Sequence, residues 1–274
     1  RLSLLDSMSE ECPACHGSGR IISRETLVTR IDHWLRRYKN KHRSLIIIPA
    51  RGGSKGIPRK NIKEFNGIPM IRRTIEKAKK SKIFDCIFVS SDSEEILEYI
   101  ESLGAIALPK RDDSLSGDST PTAPVIRQSI IDSKLDISLI TSVCCIYPCA
   151  PFIFISDLKL AYATLVKKSV HFVYPVTEYS HPIQRAIMLK DCKPSFRESD
   201  YELTPTQQLD DYYHDTGQFY FGTPNAWIDG LKMHTDGEAI EIPNWRTVDI
   251  DNKSDWLRAE LLYNLLMKNY SEEL

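Results

Sequence analysis

Three glycines and four cations fall within the ten residues Arg51 to Lys60, directly after an apolar run. Ile46-Ile47-Ile48 breaks into Pro49-Ala50-Arg51-Gly52-Gly53-Ser54-Lys55-Gly56-Ile57-Pro58-Arg59-Lys60-Asn61. Glycine lets backbone N–H groups converge on one point, and arginine and lysine add positive charge there. That combination is what a polyphosphate needs. The spacing is not the Walker pattern, because no Gly-Lys-Ser/Thr closes the loop, nor is it the Gly-x-Gly-x-x-Gly of dinucleotide sites. A solvated surface turn is the bland reading, and it leaves four cations and three glycines behind a buried strand without a reason.

A second group lies near the other end, in Val248-Asp249-Ile250-Asp251-Asn252-Lys253-Ser254-Asp255. On an extended strand residues two apart share a face, so Asp249 and Asp251 are expected to present paired carboxylates before a helix. Such a pair suits Mg²⁺, which keeps several waters and takes its other ligands from substrate phosphates. A helix-capping role for Asp251 is the open alternative, with Asp255 stabilising the first helical turn. A third group, Cys12-Pro13-Ala14-Cys15-His16, offers two thiolates, Cys12 and Cys15, where structural zinc wants four ligands. No thioredoxin-like βαβ unit surrounds it to support a redox role.

The elements that must position these groups alternate from Leu45 onward. Short β-branched runs at Leu45–Ala50, Cys86–Ser91, Ala105–Leu108, Ser138–Ile146 and His171–Val176 predict strands. Helical spacing predicts helices over Pro69–Lys82, Glu94–Leu103, Pro121–Ser133 and Ile155–Lys168, with Ser93 as an N-cap. Alternation of this kind implies a largely parallel sheet covered by helices on both faces, with ligands beyond the carboxyl ends of its strands. The cationic loop falls at such an end. From Thr177 to Asp215 the pattern becomes polar and aromatic, with only a short strand-like piece at Ala186–Leu189. A structureless loop of that length is unexpected inside a compact domain, so residues 177–215 read as an excursion that folds against a second copy. Gln218–Phe221 and Ala239–Ile242 then read as strands, and Asn252 or Ser254 caps a final helix over Asp255–Lys268. A helix is expected near Glu25–Lys39. Residues 1–43 thus form an N-terminal extension and 44–274 the main domain.

Composition narrows the partners. With 274 residues and a net charge of −1, the chain has ample core and is not a general nucleic-acid binder. No apolar run is long enough to span a bilayer, and no signal-peptide pattern opens the sequence. Seven cysteines, an odd number, do not read as a disulfide framework. The expectation is a reduced, cytoplasmic protein.

Ala50 to Asn61 resembles the first loop of the nucleotidyltransferases that activate nonulosonic acids with CTP, the CMP-sialic acid synthetase group. The resemblance runs from about Leu45 to the C-terminus. It implies a three-layer α/β sandwich of the nucleotide-diphospho-sugar transferase kind, with a small dimerisation excursion. It further implies a CTP triphosphate held by Ala50, Arg51, Gly52, Gly53, Ser54, Lys55, Lys60 and Asn61, and Mg²⁺ on Asp249 and Asp251, matching the family's Asp-x-Asp before the last helix. Arg51 and Lys60 would stabilise charge in the reaction. Arg111 and Asp118, with Ser119 and Thr120, stand where the family has a loop touching base and triphosphate; a mobile lid over Lys110–Thr122 is the other reading. Asp92, ending the second strand, faces the same sheet edge.

Cys145-Ile146-Tyr147-Pro148-Cys149-Ala150-Pro151 resembles the family's central turn, with Tyr147 in the place of a usual Gln and Cys149-Ala150 in the place of Thr-Ser. Together with Pro182-Ile183-Gln184-Arg185-Ala186 and His214-Asp215-Thr216-Gly217-Gln218-Phe219-Tyr220, it is similar to the pseudaminic acid cytidylyltransferase branch. The implied substrate is a nine-carbon α-keto acid sugar, whose carboxylate needs a cation; Arg185 is the candidate. Tyr147, Gln184, His214, Asp215 and Gln218 are the other implied sugar contacts, and each of these polar residues also has a purely structural reading. CMP-sialic and CMP-legionaminic acid synthetases are the rivals within the class. CMP-3-deoxy-manno-octulosonate synthetase fits less well, since its turn usually carries an acidic residue where Tyr147-Pro148-Cys149 stands. Arg1–His42 separately resembles the Cys-Pro-x-Cys linker of ribonuclease E/G proteins, in which two subunits share one zinc. A metal-linked RNA-binding or scaffold module is therefore the reading from another class, beside a fused or vestigial extension.

Overall fold

The computed structural model describes residues 9–11, 20–22 and 43–274. The chain divides into two units, Arg1–His42 and Arg43–Leu274. In the first, β1 (Ser9–Glu11) pairs antiparallel with β2 (Arg20–Ile22). Cys12, Cys15 and the helix expected over Glu25–Lys39 lie outside the described residues.

The second unit runs β3 (Arg43–Pro49), β4 (Glu64–Phe65), β5 (Ile68–Pro69), α1 (Met70–Ser81), β6 (Cys86–Ser90), α2 (Glu94–Ser102) and β7 (Ile106–Ala107). It continues α3 (Thr122–Asp132), β8 (Ile140–Ile146), α4 (Ile155–Lys168), β9 (Phe172–Glu178), β10 (Ile187–Lys190) and β11 (Lys193–Phe196). It ends β12 (Tyr213–Asp215), β13 (Phe219–Gly222), α5 (Pro224–Asp229), β14 (Gly237–Glu241) and α6 (Lys253–Tyr270).

One sheet organises this unit, in the order β12-β9-β13-β8-β3-β6-β7 with β14 on β9. Strands β8, β3, β6 and β7 are mutually parallel, as the alternation predicts. The other half is mixed. β13 inserts between β8 and β9 and runs antiparallel to both, and β12 is antiparallel to β9. The reason is topological: after β9 the chain makes its excursion and re-enters the sheet from the end it left, and with no helical crossover to carry it back to the starting end the next strands run antiparallel.

β3 shows why the sheet is covered twice. Its residues Leu45 to Ile48 are fully buried, and alternate side chains enter different cores. Ile46 and Ile48 pack with Ile71 and Ile75 of α1, Ile96 and Ile100 of α2, and Leu158 and Leu165 of α4. Leu45 and Ile47 pack with Ile126 and Ile130 of α3 and Trp227 of α5. Each such side chain contributes about 1.5–3 kcal/mol by leaving water. A three-layer α/β sandwich results.

A third core joins Ile57 of the cationic loop to Phe65, Phe152, Ile250 and, on α6, Trp256 and Tyr263. α6 begins with reciprocal capping. The Asn252 side chain accepts from the Ser254 and Asp255 amides, and the Asp255 carboxylate accepts from the Asn252 and Asp251 amides. Asn252 and Asp255 therefore do the capping, and the Asp251 carboxylate is left for other use. The strand expected around Asp249 and Asp251 does not form; residues 247–251 are irregular. The excursion contains the β10–β11 hairpin and exposes Ile187, Met188, Leu189 and Leu203, the last at 92%. No helix among the described residues is long and apolar enough to cross a membrane.

Candidate active site

The carboxyl end of β3 delivers its loop straight into a cavity of about 570 Å³. Ala50 stays in register with β6, its amide donating to Ser90 O at 2.9 Å. The Gly52 amide then donates to Asp92 Oδ1 at 2.7 Å, which ties the loop to the end of β6. Further on, Gly56 lies so close to the carboxylate segment that an added β-carbon would sit 1.8 Å from Asp251 O. Glycine here serves close approach.

Arg51, Gly53, Ser54, Lys55, Lys60, Asn61, Arg111, Asp118, Tyr147, Asp249 and Asp251 all line the cavity. Residues separated by some 200 positions in sequence thus meet on one surface. Two cations meet at Asp118, which accepts from Arg51 Nη1 at 2.8 Å and pairs with Lys55 Nζ at 2.5 Å. Lys55 and Arg51 hold its carboxyl below the usual carboxylate range. An anionic ligand entering here competes with Asp118 for both cations.

Lys60 reaches the opposite wall, donating to Ile250 O at 2.6 Å and lying 3.3 Å from Asp251 Oδ1. Asn61 is buried, and its amide is engaged by the protein: Nδ2 donates to Arg51 O at 2.7 Å, and Oδ1 accepts from Cys149 Sγ at 3.1 Å. It holds the loop as much as it faces the cavity. Arg111 is buried too, with Nη2 lacking a hydrogen-bond partner and lying 3.9 Å from Asp92 Oδ1. Burial lowers its pKa against the opposing pull of Asp92. The guanidinium stands in the cavity wall, with Nε donating to Ser116 Oγ at 3.3 Å, and adds positive charge there.

The chemistry of Asp249 and Asp251 suits a divalent cation. Burial raises the Asp249 carboxyl above its usual range, the charge of Asp251 raises it further, and Lys60 opposes both. A cation between the two carboxylates would relieve that stress. No group of three or more His, Cys, Asp or Glu suited to a metal occurs among the described residues. Two carboxylates leave the remaining positions to water and phosphate oxygens, the coordination Mg²⁺ prefers.

The sugar contacts expected from sequence divide. Tyr147 lines the cavity, its hydroxyl 2.5 Å from Thr122 Oγ1 and its amide donating to Gln218 O at 3.0 Å. Burial pushes its phenol up to about 12, so it is a neutral hydrogen-bonding group. Asp215 stands behind it: Oδ2 accepts from Tyr220 OH and Oδ1 from the amide of Gly217, each at 2.7 Å, and Gly217 reaches the cavity. Gln218 is buried, with Nε2 donating to Arg246 O at 3.2 Å and Oε1 unpartnered. Gln184, Arg185 and His214 are not brought to the cavity. Gln184 donates to Asp210 O, Arg185 points at Thr204 O and Thr206 Oγ1 from 3.4 Å, and His214 packs on the Tyr179 ring at 4.8 Å. Thr122, the last residue of the Lys110–Thr122 stretch, meets Tyr147 from the first position of α3, a contact that has no signal in the sequence.

The cytidylyltransferase family model matches residues 45–221. The pseudaminic acid cytidylyltransferase of Campylobacter jejuni subsp. jejuni serotype O:2 is 39% identical over 228 residues, 81% of this chain and 97% of that protein. N-acylneuraminate cytidylyltransferase B of Danio rerio is 30% identical over 81% of this chain, which spans 51% of that longer protein. A solved CMP:2-keto-3-deoxy-manno-octonic acid synthetase complexed with CTP superposes with a TM-score of 0.60 at 13% identity, covering 81% of this chain and 98% of the other. At that identity the likeness is one of fold.

Proposed function

The chain belongs to the cytidylyltransferase family, and we propose that it activates a nonulosonic acid, pseudaminic acid foremost, with CTP to give the CMP-sugar and pyrophosphate. The observation that carries this reading is one cavity at the carboxyl end of β3 in which Arg51, Lys55, Lys60 and Arg111 face Asp249 and Asp251. The sugar's anomeric 2-hydroxyl gives up its proton to solvent and attacks the α-phosphorus of CTP, the bond from that phosphorus to the bridging oxygen of the β-phosphate breaks, and pyrophosphate leaves. Such reactions need positioning and charge more than covalent help. Arg51 and Lys55 exchange Asp118 for the triphosphate. Lys60 and Arg51 then stabilise the negative charge that moves onto the leaving pyrophosphate. Asp249 and Asp251 would hold Mg²⁺, which would supply charge neutralisation to the triphosphate. Tyr147, neutral and hydrogen-bonding, orients the sugar, and Asp215 acts through Tyr220 and Gly217 on that wall.

The excursion Thr177–Asp215 pairs two copies in this reading, and Gln184, Arg185 and His214 serve the sugar site of the partner subunit. Its support is that these residues lie off the cavity of their own chain, and that Gln184 and Arg185 run directly into exposed Ile187, Met188 and Leu189. Cys144, Cys145, Cys149 and Cys192 are free thiols, which suits a reducing, cytoplasmic setting. Incubation with CTP, Mg²⁺ and a panel of nonulosonic acids, following pyrophosphate, tests the activity. Pseudaminic acid should turn over fastest; no pyrophosphate with any of them would overturn the proposal. Light scattering should report a dimer, and a fully active monomer would remove Arg185 from the partner's site.

A further inference from the structure

The turn Pro148-Cys149-Ala150-Pro151 forms part of the cavity wall, yet its two proline carbonyls are held from a helix that does not line the cavity. Thr74 Oγ1 donates to Pro148 O at 3.0 Å, and Lys77 Nζ donates to Pro151 O at 2.8 Å. The donors are three residues apart on α1 and so share one helical face. Thr74 is 5% exposed and Lys77 4%. Lysine is almost never buried so completely without a charged partner, and an apolar side chain would fill such a place at less cost. Stability alone therefore does not explain Lys77.

The turn supplies an explanation. Prolines at both ends lack an N–H, so the turn cannot fasten itself through those amides. Between the two held carbonyls, Cys149 presents Sγ to Asn61, which in turn holds Arg51 O. Immediately before the first, Tyr147 enters the cavity wall. We propose that Thr74 and Lys77 are positioning residues for nucleotidyl transfer: from α1 they fix both ends of the turn and so place Tyr147 and Cys149 against the substrates. The inference rests on the nucleotidyltransferase reading of this cavity.

Three variants test it. Thr74→Val keeps shape and removes the donor, Thr74→Ser keeps the donor, and Lys77→Met keeps length without a donor. Thr74→Val and Lys77→Met should lower kcat/KM for the sugar by about tenfold or more, the scale of a small misplacement at a reacting centre. Thr74→Ser should stay near wild type. Hydrogen exchange at the amide of Tyr147, which donates to Gln218 O at the start of the turn, should quicken by about tenfold in Thr74→Val, reflecting loss of about one hydrogen bond's worth of protection, while amides within α1 keep their protection. A merely structural role would lower thermal stability and leave both readouts at wild type, which would overturn the proposal. Should Lys77→Met fail to fold, the Thr74 pair decides alone. Should the wild type lack transferase activity, the functional reading falls, and the exchange measurement still tells whether α1 fixes the turn.

Discussion

Gly56 and Asp251 are packed backbone against backbone, with room for no β-carbon between residue 56 and the Asp251 carbonyl. This contact and the Lys60 hydrogen bond to Ile250 O set the cationic loop against the carboxylate segment. Alanine at 56 would meet a backbone oxygen that cannot rotate away, so one segment must shift. Gly56→Ala should lose about tenfold or more in kcat and melt lower than wild type. Gly53→Ala, at a glycine of the same loop with open space around it, should melt like wild type. Equal melting and turnover in the two variants would show that the contact does not register the site.

Loss of a cation from the loop is expected to act on the transition state. Arg51→Ala and Lys60→Ala should each lower turnover by at least about tenfold, since removing one such charge contact costs on the order of 3 kcal/mol. Arg51 is partly exposed and already paired with Asp118, so its removal should leave the fold intact by circular dichroism. Lys60→Ala also frees Asp251. Near-normal steady-state kinetics with CTP in both variants would rule out the triphosphate assignment.

The carboxylates are separable from the cations by their response to metal. Asp249→Asn and Asp251→Asn keep size and remove charge, so activity should fall and the Mg²⁺ concentration for half-maximal rate should rise. A titration of rate against Mg²⁺ that superposes on wild type in both variants would make the pair structural. The capping arrangement sharpens this test. Asn252 and Asp255 hold the start of α6, so Asp251→Asn should not fray the helix.

The parallel half of the sheet and its helices were legible because β3 and α1 carry unbroken periodicities. The cationic loop was legible because glycines and cations stand consecutively. Asp249 and Asp251 were found by an argument from strand alternation, although the segment is irregular; what brings both to the cavity is the packing of Gly56 and Ile250. Antiparallel insertion of β13 was not legible, since a four-residue strand of Phe219–Gly222 carries no sign of its direction. Thr74 and Lys77 were invisible for a plainer reason. Their partners are backbone carbonyls some 74 residues away, and a carbonyl has no sequence identity.

Lys77 also makes a signed prediction for stability against pH. Burial pushes its ammonium down to about 7, helped by Arg73 and Lys80 and opposed by Asp157. Unfolded, the same lysine titrates near the ordinary value of 10.5. Between these two values the unfolded chain binds more protons than the folded one, so this group makes the fold more stable as pH rises. Below about pH 7 the cost of burying the charge is present in full; above about 10.5 it is gone. Cys144, Cys145 and Tyr220, whose burial raises their pKa values, pull the other way at alkaline pH, but Lys77→Met leaves them in place. The measurement is therefore the difference in melting temperature between Lys77→Met and wild type at a series of pH values from about 6.5 to 9.5. Met should compare best at the acid end, and its relative standing should fall steadily with rising pH, by an amount on the order of a few kcal/mol at about 1.4 kcal/mol per pKa unit. A difference independent of pH would mean that Lys77 keeps an ordinary ammonium in the fold, held by Asp157 and the Pro151 carbonyl more strongly than burial penalises it.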